Sequence, residues 1–157
     1  MHTPEDGLWL CDYPQPDADS NISVGEIAEY GNASQLAIIS YANGFYLSRQ
    51  AQKILQDQQG IEVKVIDIRW LAPLNEQAII DSVAHCENVL IVDECRDTGS
   101  QSEALMTLLV EKAAHKPNLK RVVAEDCFIP LGKAATVTLP SCDSIVSAAK
   151  ELIANPL

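Results

Sequence analysis

Residues 88–99, NVLIVDECRDTG, bring several reactive side chains to one point. The apolar run Val89-Leu90-Ile91-Val92 ends in Asp93, Glu94, Cys95, Arg96 and Asp97, and Thr98-Gly99 follow. Three uses suit that set. Asp93 and Glu94 could act as paired carboxylates or as magnesium ligands. Cys95, close to the start of a following helix, could serve as a nucleophile, because a helix N-terminus lowers a thiol's pKa. Charges at a strand's C-terminal end, ahead of a helix, also sit where open α/β sheets hold ligands.

Each use meets an objection. Asp93, Glu94 and Asp97 crowd Cys95 and raise its pKa again, and none of His2, His85 and His115 is placed by sequence as its base. A phospho-acceptor magnesium site needs further acids at the end of the first buried strand. This chain has Ser40-Tyr41-Ala42-Asn43 there. The plainer expectation is that the acids accept hydrogen bonds from loop amides, or from Arg69 or Arg96. Asp67 and Arg69 stand two apart on a strand and so share a side. They suit an ion pair within the domain, a contact to another subunit, or a grip on a small anion. GxGxxG, GxxxxGK[ST] and GxSxG are absent, and the His and Cys spacing completes no zinc set.

The bulk properties narrow the class further. A chain of 157 residues with 47% apolar content is most simply one globular domain. A net charge of −11 opposes nucleic acid and anionic membrane surfaces as partners. The five cysteines are odd in number and form no CxxC. They read as free thiols in the cytoplasm or a similarly reducing compartment. No apolar run approaches the roughly 18 residues a bilayer span needs.

Residues 1–21 form an acidic, proline-containing arm or interdomain linker. Its Leu8, Trp9, Leu10 and Tyr13 are to pack either on this domain or on a neighbour. The domain proper is expected over 22–157. Its elements begin with a short strand at 22–28 ending at Gly31-Asn32, and a buried strand at 36–40 that breaks at 41–44. A helix then carries Leu47, Ala51, Ile54, Leu55 and Gln58 on one stripe, stopped by Gly60. A strand over 63–68 leads past Pro73 to Asn75, which caps a helix with Ile79, Ile80, Val83 and Ala84 inward. The strand at 88–93 feeds a helix over about 100–115 with Ala104, Leu105, Leu108, Leu109 and Ala113 inward; His115 is to sit at its C-terminus. A strand at 121–124, a loop at 128–133 and a Ser141-capped helix close the chain. Alternation of strands and helices implies βαβ units around a mostly parallel sheet.

Taken in order, VKVIDIRWLAPLNEQAIIDSV, NVLIVDECRDTGSQSEAL and AEDCFIPLG…LPSCDSIVSAAKEL resemble a known domain. It is the C-terminal domain shared by transketolases and the β subunits of thiamine-dependent 2-oxo acid dehydrogenases. The residues that carry the resemblance are Asp67, Arg69, Leu71, Pro73, Leu74, Asn75, Glu94, Gly99 and Glu103, over about 22–154. Ser100 and Ser102 stand where the family turn often has glycine.

The resemblance implies a three-layer α/β/α fold with five strands, the first antiparallel to the rest. It makes the strands at 36–40 and 88–93 neighbours, so that 41–44 and 93–99 meet at the topological switch point. It also implies that thiamine diphosphate and magnesium are held by domains absent here, that this chain has no catalytic, cofactor or metal residue of its own, and that it is a piece of a longer enzyme. Implied partners are the missing thiamine-binding domains or α subunit, a second copy, and the acyltransferase core. Asp67, Arg69, Glu94, Arg96, Gly99 and Ser100 become candidate interface or anion contacts, with the amides near Gly99 and Ser100 the first place to seek an anion. A transketolase or deoxyxylulose phosphate synthase parent, and a free-standing anion-binding regulatory module, are the alternatives.

Overall fold

A computed structural model describes residues 21–155; the arm at 1–20 lies outside the described residues. Five strands form one sheet: β1 (Ile27–Tyr30), β2 (Leu36–Ser40), β3 (Val63–Ile68), β4 (Asn88–Arg96) and β5 (Asn118–Ala124). Their spatial order is β1-β3-β2-β4-β5. β1 runs antiparallel to β3, and every other pairing is parallel. The expected topology, with β2 beside β4, is therefore present.

Helices cover both faces. α1 (Ala42–Gln59) and α5 (Cys142–Ala154) pack on the face of Leu36, Ile38, Val63, Val65, Leu90 and Val92. α2 (Glu76–Val83) and α3 (Gln101–Lys112) cover the opposite face, made by Ala37, Ile39, Ile66, Ile68, Val89 and Ile91. Alternate strand residues feed alternate cores, as the two-residue strand period requires. β2 and the first six residues of β4 are buried throughout, the mark of strands covered on both sides. Burying each such Ile or Leu stabilises the fold by about 1.5–3 kcal/mol.

Local signals explain the element ends. Gly60 takes a left-handed φ of 65° and its N–H closes α1 on Gln56 and Leu55 carbonyls. The Asn75 side chain accepts from Ala78 N–H and caps α2. Ser141 and Ser144 form a reciprocal capping box for α5.

Several boundaries depart from expectation. Residues 22–24 are not strand; a turn closed by Glu26 N–H on the Ser23 carbonyl precedes β1. β5 begins three residues earlier than 121, at Asn118, because β4 offers a parallel ladder from Asn88 onward. Ala84 and Ala104 face solvent; α2 ends at Val83, and Ala104 lies one step outside the stripe of Leu105, Leu108 and Leu109. Gln58 is likewise exposed at the end of α1, beyond the cover of the sheet. α3 stops at Lys112, so His115 lies past it, bonded through Nε2 to the Cys86 carbonyl at 3.1 Å. Residues 132–134 and Ala135–Thr138 (α4) form short helical turns within the 125–139 segment, where only a loop was expected.

The break expected at 41–44 is instead the first turn of α1. Ala42 enters it with φ 49°, a conformation L-residues seldom adopt. Gly44 is buried against β2 and β4, and a Cβ there would lie 2.6 Å from Ser40 Oγ. Ser40 Oγ cannot retreat freely, since it donates to the Val92 carbonyl at 2.8 Å. Gly44→Ala is therefore expected to lower unfolding free energy by roughly 1–3 kcal/mol. Adding Ser40→Ala should recover part of that loss, because the blocking hydroxyl is gone. Urea midpoints for the four members of this double-mutant cycle measure the coupling.

Candidate interface site at the switch point of the sheet

The chain leaves β2 toward one face of the sheet and leaves β4 toward the other. Adjacent parallel strands that part in this way create a crevice at their C-terminal ends. Asp93 sits in its floor, 1% exposed. Three donors converge on its carboxylate. Tyr41 Oη donates to Oδ1 at 2.6 Å and Cys95 N–H to the same oxygen at 2.8 Å, while Ser102 N–H donates to Oδ2 at 2.9 Å. Ser102 belongs to the first turn of α3, whose N-cap residue Ser100 makes no side-chain cap bond. Asp93 thus caps α3 from within β4, where a carboxylate also suits the helix dipole.

The Cys95 amide reaches Asp93 because β4 bulges. Asp93 pairs with Val123 and Arg96 with Ala124, so β4 carries two extra residues against β5. Glu94, in the bulge, accepts from Asn43 Nδ2 at 2.6 Å. Tyr41 stays a hydrogen-bond donor: burial first, then its bonds to Asp93 and Cys95, hold the phenol far above its usual titration range. Cys95 Sγ lies 3.6 Å from Tyr41 Oη and is exposed.

The loop from β4 to α3 is fastened to β5. Arg121 donates to the Asp97 carbonyl at 3.1 Å, to Asp97 Oδ1 at 2.6 Å and to Ser102 Oγ at 3.1 Å. Asp126 accepts from Thr98 N–H at 2.9 Å and Thr98 Oγ1 at 2.5 Å. Those bonds lower the Asp126 carboxyl's pKa. Gly99, with φ 73°, donates its N–H to Glu103 Oε2 at 2.7 Å. The hydroxyls of Ser100 and Ser102 share a hydrogen bond of 2.6 Å.

The amides of Thr98, Gly99 and Ser102 therefore already point at carboxylates of this chain. An anion near Gly99 would compete with Asp126 and Glu103 for the Thr98 and Gly99 amides. Asp93 and Glu94 do accept hydrogen bonds within the domain, but from Tyr41, Asn43 and two amides. Arg69 and Arg96 take no part in those bonds. Arg96 is exposed and acts on Asp126.

Asp67 and Arg69 form a separate cluster on the far side of β2. Arg69 Nε lies 3.8 Å from Asp67 Oδ2, and its Nη1 donates to Glu26 Oε1. Burial pushes the Asp67 carboxyl's pKa up, and Arg69 draws it only partly back. The six candidate residues thus share one edge of the sheet without forming one constellation. Tyr41, Asn43, Arg121 and Asp126 were not singled out from the sequence. Arg121, beside Lys120 at the start of the Val122-Val123-Ala124 run, was the one visible hint among them.

Among the described residues, no group of three His, Cys, Asp or Glu side chains could hold a metal ion. No helix there is long and apolar enough to cross a membrane. The Cys86, Cys95, Cys127 and Cys142 thiols are free.

The sequence profile described as "Transketolase, C-terminal domain" matches residues 25–145. The chain belongs to the transketolase C-terminal domain family. It is 31% identical over 152 residues to 1-deoxy-D-xylulose-5-phosphate synthase of Nitratidesulfovibrio vulgaris strain DP4, covering 94% of this chain and 23% of that protein. It is 27% identical over 140 residues to the pyruvate dehydrogenase E1 component subunit beta of Staphylococcus aureus strain Mu50, covering 88% and 43% respectively. The chain thus spans less than half the length of these relatives. Among solved structures, a split-gene transketolase described as an inactive β4 tetramer has the same fold. Its TM-score is 0.74 at 18% identity, over 90% of this chain and 46% of that one.

Three outcomes test this geometry. Asp93→Ala takes the acceptor from the buried Ser102 amide and from the half-buried Tyr41 hydroxyl and Cys95 amide, and should cost about 1–3 kcal/mol of stability, read from the urea midpoint at unchanged slope. Asp67→Asn should be more stable than the parent at neutral pH. Asp67 has its folded pKa above the unfolded one, so its charged form disfavours folding, and the difference should shrink as pH falls through the raised pKa. In the folded protein, iodoacetamide should label exposed Cys95 and Cys127 before Cys86 and Cys142, whose pKa values burial raises. Mass spectrometry of tryptic peptides measures the order.

Proposed function

We propose that this chain is the C-terminal assembly domain of a thiamine diphosphate-dependent enzyme and does no chemistry by itself. The parent is a 2-oxo acid dehydrogenase β subunit or a fused dehydrogenase. The observation that carries this reading is how the switch-point polar groups are used. Asp93, Glu94, Asp97, Asp126 and Glu103 each accept from this chain's own Tyr41, Asn43, Arg121 or backbone amides. Such a network shapes and stiffens a surface. It leaves no cradle for a diphosphate, whose binding calls for amides or cations aimed outward. Thiamine diphosphate and magnesium do not fit these residues and belong to the other domains of the parent.

The likeness to pyruvate dehydrogenase E1 subunit beta supports the dehydrogenase reading. A deoxyxylulose phosphate synthase or transketolase parent is the second reading. It is favoured by the 31% identity to a deoxyxylulose phosphate synthase across nearly the whole chain. Under either reading the partners are the thiamine-binding domains or α subunit and a second copy. A dehydrogenase parent adds the acyltransferase core. Asp67, Arg69, Glu94, Arg96, Gly99 and Ser100 then shape loops at a subunit or domain boundary. Free thiols suit a cytoplasmic setting.

Calorimetric titration of the isolated chain with thiamine diphosphate and magnesium should give no binding heat. Mixing it with the thiamine-binding polypeptide of its parent should form a complex that decarboxylates a 2-oxo acid. Saturable heat from the isolated chain, or failure to form the complex, would overturn the reading.

A further inference from the structure

Ahead of β1 the chain makes a turn with no apolar core of its own. Residues 21–24 are exposed, with Ile22 at 51% and Val24 at 68%. Polar bonds rather than apolar packing fix the turn. Glu26 N–H donates to the Ser23 carbonyl at 3.0 Å, and Ser23 N–H donates to Glu26 Oε2 at 3.0 Å. Gly25 completes it with φ 79°, in the left-handed region that suits glycine. A Cβ there would meet nothing nearer than Asn75 at 3.9 Å, so the torsion and not the space calls for glycine.

Two side chains from the β3–α2 connection fasten this turn to the rest of the domain. Arg69 Nη1 donates to Glu26 Oε1, so the Glu26 carboxylate spends one oxygen on Arg69 and the other on the turn's own backbone. The Arg69 side chain is only 25% exposed, which lifts this pair above the near-zero worth of a fully solvated one. Asn75 Nδ2 donates to the Gly25 carbonyl at 3.0 Å, while its Oδ1 accepts from Ala78 N–H at 3.1 Å and caps α2. A carboxamide flipped end for end would set donor against donor and acceptor against acceptor. The two bonds of Asn75 therefore require the same orientation of one side chain.

We infer that the β3–α2 connection is a latch on the point where the chain enters the domain. With Arg69 and Asn75 engaged, residues 21–26 are fixed to the end of β3, and the polypeptide ahead of them is launched in one direction. With both released, that segment opens as a unit while the sheet stays folded, because β1 keeps its own ladder to β3 from Ile27 to Tyr30. Arg69 and Asn75 are positioning residues in this device. The inference goes beyond the assembly-domain reading and does not depend on it, since it concerns any polypeptide joined ahead of the turn.

Thermolysin, which cleaves ahead of accessible Ile and Val, reads the latch on the full chain. Asn75→Asp keeps the cap oxygen but sets an acceptor against the Gly25 carbonyl. Glu26→Gln leaves one carbonyl oxygen where two carboxylate oxygens each met a donor. The double variant should be cut ahead of Ile22 and Val24 about tenfold faster than wild type, at an unchanged urea midpoint. Hydrogen exchange by mass spectrometry should rise over residues 21–26 and stay as in wild type over α2. Asn75→Ala removes the cap as well and should raise exchange in both places. Cleavage and exchange equal to wild type in the double variant would show that other contacts hold the turn, and would overturn the inference. Faster exchange that reaches β3, with a lowered urea midpoint, would overturn it too, because the opening would then belong to the sheet. If the double variant does not fold, Asn75→Asp alone, at an exposed position, carries the same comparison at smaller amplitude.

Discussion

Asp93 is the point on which the functional edge of this domain depends. A carboxylate at 1% exposure is tolerable only when its lone pairs are engaged. Here the donors come from the β2–α1 junction, the β4 bulge and the first turn of α3. One buried side chain thereby joins two parallel strands and the two helices that diverge from them. The crevice that such divergence usually opens is closed from within.

That closure separates the architecture of a ligand-binding sheet from the chemistry of one. The switch point, the helix N-terminus and a cluster of acids are all present, and each is a feature that elsewhere hosts a phosphate or a metal. In this chain the amides are matched to carboxylates nearby in sequence or just after β5. The edge becomes a rigid, acidic surface. Such a surface suits recognition by another folded domain, where a stiff, preformed shape limits the entropy lost on association.

Rigidity at the edge also explains two sequence choices with no evident chemical purpose. Gly44 is required because α1 starts so close to Ser40 that a methyl group would collide with its hydroxyl. Arg121 stands in β5 next to Lys120, and its planar fork holds both the Asp97 backbone and side chain together with Ser102. Both hold the loops after β2 and β4 in register with the strands they leave.

Hydrophobic periodicity alone determined the number and type of the main elements, since buried strands read as unbroken apolar runs and helices as stripes. The caps at Gly60, Asn75 and Ser141 were legible for the same local reason. The order of motifs along the chain was enough to suggest the family and its five-stranded sheet. Tertiary structure decided what sequence spacing does not encode. It paired Tyr41 with Asp93 and Asn43 with Glu94 across more than fifty residues. It shortened the strand before Gly25 and extended β5 along its neighbour. It left Ala84 exposed past the end of α2 and turned Ala104 outward, one step off the buried stripe of α3. The acids at residues 93–97 were visible from the first reading as a site. Whether their partners were ligands or the chain's own donors depended on which strands lay side by side, and that is a property of the fold.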